Sequence, residues 1–319
     1  MNRIRTAIAA ALLALTSATV HAQTPGKPVR LIVPYPAAGA VDIVSRLLAD
    51  KLGASLGTSV IVENKAGAAG MIGADQMAKS APDGNTLAMI TVSSHAIAPS
   101  VYKTMPYDPV ADFALVSLTA NTPYIITVTP SVPARSLKEL MALAKAKPGA
   151  LNFGSSGTGT TPHLAGELFN TLAGVKINHI PYKGSAPMVN DLLGGQVQVA
   201  FDNTVIPHIK AGKLIGLAVT SSTRLAAVPD IPTAIEAGLP GYEAVGWMGL
   251  AAPRGTPADT VARLSRETAR AMAQPDVVEK LTALGFQSAA NTPEQFTAYV
   301  KNEITKWARV VKDAGITPE

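Results

Sequence analysis

The stretch Val29-Arg30-Leu31-Ile32-Val33-Pro34-Tyr35-Pro36-Ala37-Ala38-Gly39-Ala40-Val41-Asp42-Ile43-Val44 decides the fold. Four of its first five residues are aliphatic and Pro34 stops the run, which predicts a strand. From Ile43 the apolar residues fall at 43, 44, 47, 48, 52 and 56, the period of a helix that buries one face. A short loop of Pro, Ala and Gly joins the two. A strand that feeds directly into a helix is the building unit of an α/β sheet. The alternation continues outward: Val60-Ile61-Val62 is a strand, 71–79 a helix, Pro82-Asp83-Gly84-Asn85 a turn, and 87–91 a third strand.

A second α/β set follows. Residues 124–128 read as a strand. Ser136-Leu137-Lys138-Glu139 has capping-box spacing and predicts a helix that stops at Pro148-Gly149. Strands at 151–153, 176–180, 197–201 and 214–219 then accompany helices at 164–172 and 188–193. The last third holds a strand at 247–252, a helix start at Thr256-Pro257, and Gly285 and Gly315 as helix-ending glycines. Thr292-Pro293-Glu294-Gln295 is another capping box, and its helix buries Phe296, Val300, Ile304, Trp307 and Val311. The expected layout is two α/β domains with parallel sheets, the chain crossing near 120–127 and 240–248. Residues 26–123 plus 247–319 form the first domain and 124–246 the second. A cleft between such domains is a common small-molecule site.

Composition excludes several classes. Of 319 residues only 15% are charged and none is cysteine, against roughly 25% charged in an ordinary domain. Disulfides, thiolate metal sites and cysteine nucleophiles are therefore ruled out. A net charge of +5 without any basic run argues against nucleic acid. Arg3 and Arg5, the apolar run 7–15 and Val20-His21-Ala22 have the layout of a signal peptide, residues 1–22, cleaved after Ala22. The run is shorter than the about 20 apolar residues that span a bilayer. Export without cysteine points to the periplasm. The histidines lack partners at ligand spacing, so no metal or cofactor is expected.

Four loops at predicted strand ends carry small polar residues: Tyr35 to Asp42; Ser93-Ser94-His95; Gly154 to His163; and Phe201-Asp202-Asn203, beside Pro181-Tyr182-Lys183-Gly184. Helix N-termini offer free backbone N–H groups and partial positive charge, so they hold anions without a cationic side chain. Glycine admits close approach and hydroxyls add donors. Ligands of open α/β sheets sit at the carboxyl ends of the strands. Asp42 reads as a helix-starting residue, and Trp247 as core or hinge packing.

The chain resembles a known family at these places. Tyr35 to Asp42, Val62 to Gly70, Ala81-Pro82-Asp83-Gly84, Pro106-Tyr107-Asp108-Pro109, Ser155 to Glu167, Pro181 to Gly184, Leu192 to Val197 and Glu236 to Gly241 match its motifs in order and spacing. The family is that of the Bug-type substrate-binding proteins of tripartite tricarboxylate transporters. The resemblance implies a periplasmic binding protein of the type II class, with two domains and a cleft between them. It implies a monomer that captures a small carboxylate and delivers it to membrane permease subunits, without catalysis. Carried over by position, Tyr35, Pro36, Ala38, Gly39, Ser93, Ser94 and His95 line the cleft from the first domain. Ser155, Ser156, Thr158, Thr160, Thr161, Tyr182 and Asp202 line it from the second. Many members have glycine where Ala38 stands and a polar residue near Val41; a β-methyl at 38 crowds close backbone approach and Val41 makes the rim more apolar, so the expected ligands extend beyond simple dicarboxylates to an aromatic or longer-chain carboxylate. The stretch after Asn203 is also shorter than usual. Two other readings stand beside this one. A serine-type hydrolase needs His163 to reach Ser156, although Gly154 to Thr158 lacks the last glycine of a nucleophile elbow. A ligand-sensing subunit of a membrane kinase needs the same cleft.

Overall fold

The first strand–loop–helix unit forms where its hydrophobic pattern puts it: β1 spans Val29–Val33 and α1 spans Ala40–Leu56. The computed structural model describes residues 27–318; the expected signal segment, 1–22, lies outside the described residues. β2 (Val60–Asn64), α2 (Met71–Ala78) and β3 (Thr86–Thr91) follow. β1 pairs in parallel with both β2 and β3. After β3 the chain makes a buried π-helical turn, Ser93–Ile97, that runs into α3 (Ala98–Val101). The open loop expected at Ser93-Ser94-His95 is therefore a packed helical turn.

The uncharged run after α3 supplies an unexpected strand, β4 (Phe113–Pro123), separated by Tyr124 alone from β5 (Ile125–Val128). Next come α4 (Leu137–Ala146), β6 (Asn152–Ser155), α5 (Thr161–Ala173), β7 (Asn178–Pro181) and α6 (Ser185–Leu193). They are followed by β8 (Val199–Asp202), α7 (Ile206–Lys210) and β9 (Ile215–Val219). Residues 220–244 are irregular and lead back to β10 (Val245–Pro253). α8 (Ala258–Met272), α9 (Pro275–Ala283), β11 (Gln287–Ser288) and α10 (Pro293–Asp313) complete the chain.

Two sheets result, in the orders β11-β4-β10-β3-β1-β2 and β7-β6-β8-β5-β9. Neither is all parallel. β10 runs antiparallel to β3 and β4, and β5 runs antiparallel to β8 and β9. The reason is topological. β4 carries the chain out of the first sheet and β10 brings it back, so the two lie side by side in opposite directions.

Local capping explains the helix starts. Thr292 and Gln295 form the expected reciprocal box at α10. At α4 the Ser136 side chain accepts the Glu139 N–H, but the Glu139 carboxylate accepts from Arg135 N, one residue before the cap. Thr256 does not cap α8: its hydroxyl donates to Pro253 O, and Pro257 takes the cap position. Gly285 and Gly315 have φ of 79° and 67° just beyond α9 and α10, as helix-ending glycines require. α10 packs on both β4 and α5, reaching elements of both sheets. Its buried Glu303 accepts the indole N–H of Trp247 at 3.1 Å and of Trp307 at 2.9 Å, which satisfies two large core side chains at once.

Candidate functional site

β1 and β6 each end in a loop that turns into a long helix, and these two loops form the two halves of the candidate site. In the first, Tyr35 is half-buried and its phenol donates to Ala69 O at 3.1 Å and shares a 2.9 Å bond with Thr91 Oγ1. Gly70, φ 94°, lies against the Tyr35 ring and Ser94, where a Cβ would crowd both. Asp42, only 2% exposed, is the third residue of α1. Its carboxylate accepts the Ala38 N–H, Asn64 Nδ2 and Arg46 Nε, each at 2.9 Å. Burial pushes that carboxyl up, but the bonds from Arg46, Asn64 and Ala38 outweigh burial and hold it below its ordinary value. Asn64 also donates to Tyr35 O at 3.0 Å, so one amide ties the loop to the edge of the sheet. The N-cap of α1 is Gly39, so no side chain covers the first N–H groups of the helix.

The second loop is built alike. The N-cap of α5 is Thr160, whose hydroxyl donates to Gly157 O at 2.7 Å instead of closing on its own helix. Gly157 N donates to Ser155 Oγ at 3.1 Å. The N–H of Gly159 donates to His163 Nδ1 at 3.2 Å, and His163 is the third residue of α5. Behind the loop Ser155 Oγ meets His179 Nε2 at 2.6 Å, and the His163 and His179 rings stack with centroids 3.9 Å apart. Tyr182 N and Gly184 N donate to Ser155 O and Ser156 O, which lays the 181–184 segment along the loop.

The halves meet around Tyr124, the residue between β4 and β5. Its phenol bonds to Thr161 and lies within electrostatic reach of both Tyr35 and Asp202. A Cβ at Gly246 of β10 would collide with that phenol, which explains glycine there. Gly159 in turn faces Val101 of α3, with 3.3 Å between a Cβ built on it and the valine methyl. Neither Tyr124 nor Val101 was legible as a site residue: Tyr124 reads as a strand start, and nothing in the sequence marks Val101. Asn64 lies inside the second family motif, but its bracing role needed coordinates.

The expected site residues fall into three groups. Pro36, Ala38 and Thr158 are exposed, and Gly39, Ser156 and Thr160 are partly so; these stand on the loop surfaces. Ser93, Ser94, Ser155 and Thr161 are buried immediately beneath them. Three others are turned to structural partners. His95 is fully buried between Tyr107 and Phe113, with Nδ1 2.9 Å from Ser94 Oγ, and desolvation depresses its pKa to about 3. It belongs to the core and not to the rim, because the π-turn points it inward. The Tyr182 phenol donates to Asp191 of α6 at 2.8 Å. Asp202, 2% exposed, accepts from Ser185 Oγ, Thr204 N and Thr204 Oγ1 at 2.7–2.8 Å, so it braces the end of β8. Burial raises its pKa despite those donors. Val41 is likewise no part of the rim: it is buried against α1's own apolar face and β1.

The hydrolase geometry is not made. His163 Nδ1 is occupied by Gly159 N, and its Nε2 faces Glu167 Oε1 at 3.9 Å. The serines that do touch an imidazole are Ser155, on His179, and Ser94, on His95, and both are fully buried. Elsewhere, a cavity of about 440 Å³ opens between Arg224-Leu225 and the α8–α9–β11 corner, lined also by Met272, Thr282, Phe286 and Ser288.

Residues 44–316 match the family described as tripartite tricarboxylate transporter family receptor. The chain is 40% identical to Protein BugT of Bordetella pertussis, over 94% of this chain and 93% of that protein. A protein of R. palustris solved with adipate superposes with a TM-score of 0.84 at 38% identity, covering 93% of this chain and all of that one. MatC from Rhodopseudomonas palustris, solved with bound malate, gives 0.77 at 33% identity, over 90% of this chain and 99% of that one. The architecture is that of two-domain periplasmic binding proteins.

Proposed function

Because the chain belongs to the tripartite tricarboxylate transporter receptor family, we propose that it captures a small dicarboxylate in the cleft and hands it to membrane permease subunits. One observation carries this reading. Two helix N-termini, those of α1 and α5, stand at strand carboxyl ends on opposite sides of the cleft, and neither has a side-chain cap on its first N–H groups. Each such end is equivalent to roughly half a positive charge. Two of them, one per domain, suit a molecule with an anionic group at each end. The relatives solved with adipate and malate hold molecules of that kind.

The chemistry explains why no arginine is needed. Amides fixed in a folded loop require no reorganisation, and the hydroxyl of Ser156 stands close by to donate to a bound carboxylate. Binding of one carboxylate to each loop draws the domains together, so closure is driven by the ligand's differential contacts with the closed form. Residues 27–123 plus 245–318 and residues 124–244 are the two bodies that move, the second boundary lying at the start of β10 and not inside it. The protein acts as a monomeric receptor without catalysis, in the periplasm, after cleavage behind Ala22.

A thermal-shift panel of straight-chain dicarboxylates, their monoesters and aromatic carboxylates tests this. A dicarboxylate at a hundred times its Kd should add about 2.7 kcal/mol of stability, and the monoesters much less. Failure of every carboxylate to raise Tm would overturn the reading. Ser156→Ala should weaken the best ligand by about 1–3 kcal/mol through a lost hydrogen bond.

A further inference from the structure

Two imidazoles sit directly behind the second cleft loop, and the ligand reading leaves them without a role. His163 is 5% exposed and His179 partly buried. Their rings are parallel to within 22°, and Phe153 also stacks on His179, with centroids 5.0 Å apart. Each ring grips a different point of the same turn. His179 Nε2 lies 2.6 Å from Ser155 Oγ, the atom that receives the Gly157 N–H. His163 Nδ1 receives the Gly159 N–H. An N–H can only donate, so Nδ1 of His163 carries no proton and the neutral ring holds its proton on Nε2.

We propose that the stacked His163–His179 pair is a positioning device for the ligand loop, with His163 as the residue whose unprotonated Nδ1 holds the Gly159 N–H and so keeps the turn Gly157–Thr160 in its binding shape. The proposal rests on the receptor reading for what the loop binds. It follows from the conformational freedom of the turn. Gly157 and Gly159 have φ of 136° and 73°, conformations that only an added restraint keeps in register, because glycine is otherwise free. Gly159 is also the loop's contact with Val101 of the first domain. The grip on Gly159 therefore positions both the helix N-terminus and an interdomain contact.

Protonation would reverse the bond. A proton on Nδ1 sets two donors against each other and frees the Gly159 N–H. The groups facing the ring are Glu167 from α5, with Oε1 3.9 Å from Nε2, and His179 from β7. Glu167 favours the charged ring and His179 opposes it. Burial outweighs both, and the His163 pKa is held down at about 4. The loop is thus stable at neutral pH and released in acid.

The test uses the purified full chain carrying ¹⁵N-histidine and ¹⁵N-glycine. At pH 7 the long-range ¹⁵N spectrum should show His163 with Nδ1 unprotonated, and Gly159 should exchange slowly. On acidification, Gly159 exchange, after correction for its intrinsic pH dependence, should accelerate in step with proton uptake by His163. His163→Ala should accelerate Gly159 exchange about tenfold at pH 7, the equivalent of one lost hydrogen bond. His163→Asn restores an acceptor oxygen that does not titrate, so protection should return and the acid response vanish. Adipate affinity, measured on the same samples, should follow Gly159 protection. A protonated Nδ1 in the wild type, or Gly159 protection unchanged in His163→Ala, overturns the proposal; so does an acid response that persists in His163→Asn. The wild-type spectrum decides even if a variant fails to fold. The spectra need no ligand, so a latch seen without carboxylate binding sinks the receptor reading and not the latch.

Discussion

The two cleft loops are tied by one knot made of different materials. In the first, Asp42 at the third position of α1 accepts the N–H of Ala38; in the second, His163 at the third position of α5 accepts the N–H of Gly159. Ala38 and Gly159 share a left-handed backbone, φ 63° and 73°, and the next residues, Gly39 and Thr160, are both extended, at φ −78° and −83°. Backbone geometry thus fixes the need: an N–H just ahead of the helix must find an acceptor. The neighbours fix the chemistry. Arg46 and Asn64 surround Asp42 and give a charge its partners. His163 lies against a second imidazole, where a charge is unwelcome.

The difference should appear first in acid. His95, His163 and His179 all have depressed pKa values, about 3, 4 and 3, against an unfolded value of about 6.5. The folded state therefore binds fewer protons than the unfolded chain as pH falls below about 6.5, and stability is lost from there down through the folded values. Each such proton is worth about 1.4 kcal/mol per pH unit. Urea midpoints measured between pH 7 and 4 should fall steeply, and His163→Asn should flatten the slope by about one proton. Asp42, depressed as well, contributes stability above its ordinary carboxylate value that is lost only as pH falls through the lower folded value. The first loop should thus outlast the second, and simultaneous release of both would break the comparison.

Removing the carboxylate should cost somewhat less. Asp42→Ala leaves the Ala38 N–H and the Asn64 amide without their shared acceptor, a loss of about 2–3 kcal/mol readable in urea unfolding. Ala38→Gly sharpens the likeness by giving the first loop the residue that the second already has. A left-handed alanine is strained by about 1–2 kcal/mol, and glycine gives back part of that in unfolded-chain entropy. A gain of up to about 1 kcal/mol is expected, seen as a small rise in Tm.

Much of this was legible in residues 29–56 and 151–173, where strand, small-residue loop and helical stripe follow in order. Asp42 was recognisable as a helix-starting residue, and both cleft loops as anion-suited turns. β4 was not legible, because Phe113–Pro123 is buried nearly throughout and has no alternation to mark a strand. The antiparallel pairings were hidden too, since they depend on where the chain returns. His95, Tyr182 and Asp202 were named from their position in motifs, but their partners, Phe113, Asp191 and Ser185, lie 9 to 18 residues away in the chain and only the fold brings them together. The knot itself was invisible, because a histidine at a helix start carries no sequence signal for an N–H four residues before it.

The most direct measurement is hydrogen–deuterium exchange of the full chain, with and without the carboxylate that raises Tm most. The account predicts joint protection of residues 35–43 and 155–164, one segment per domain. Protection confined to the cavity around Arg224, or to one of the two loops, would contradict it.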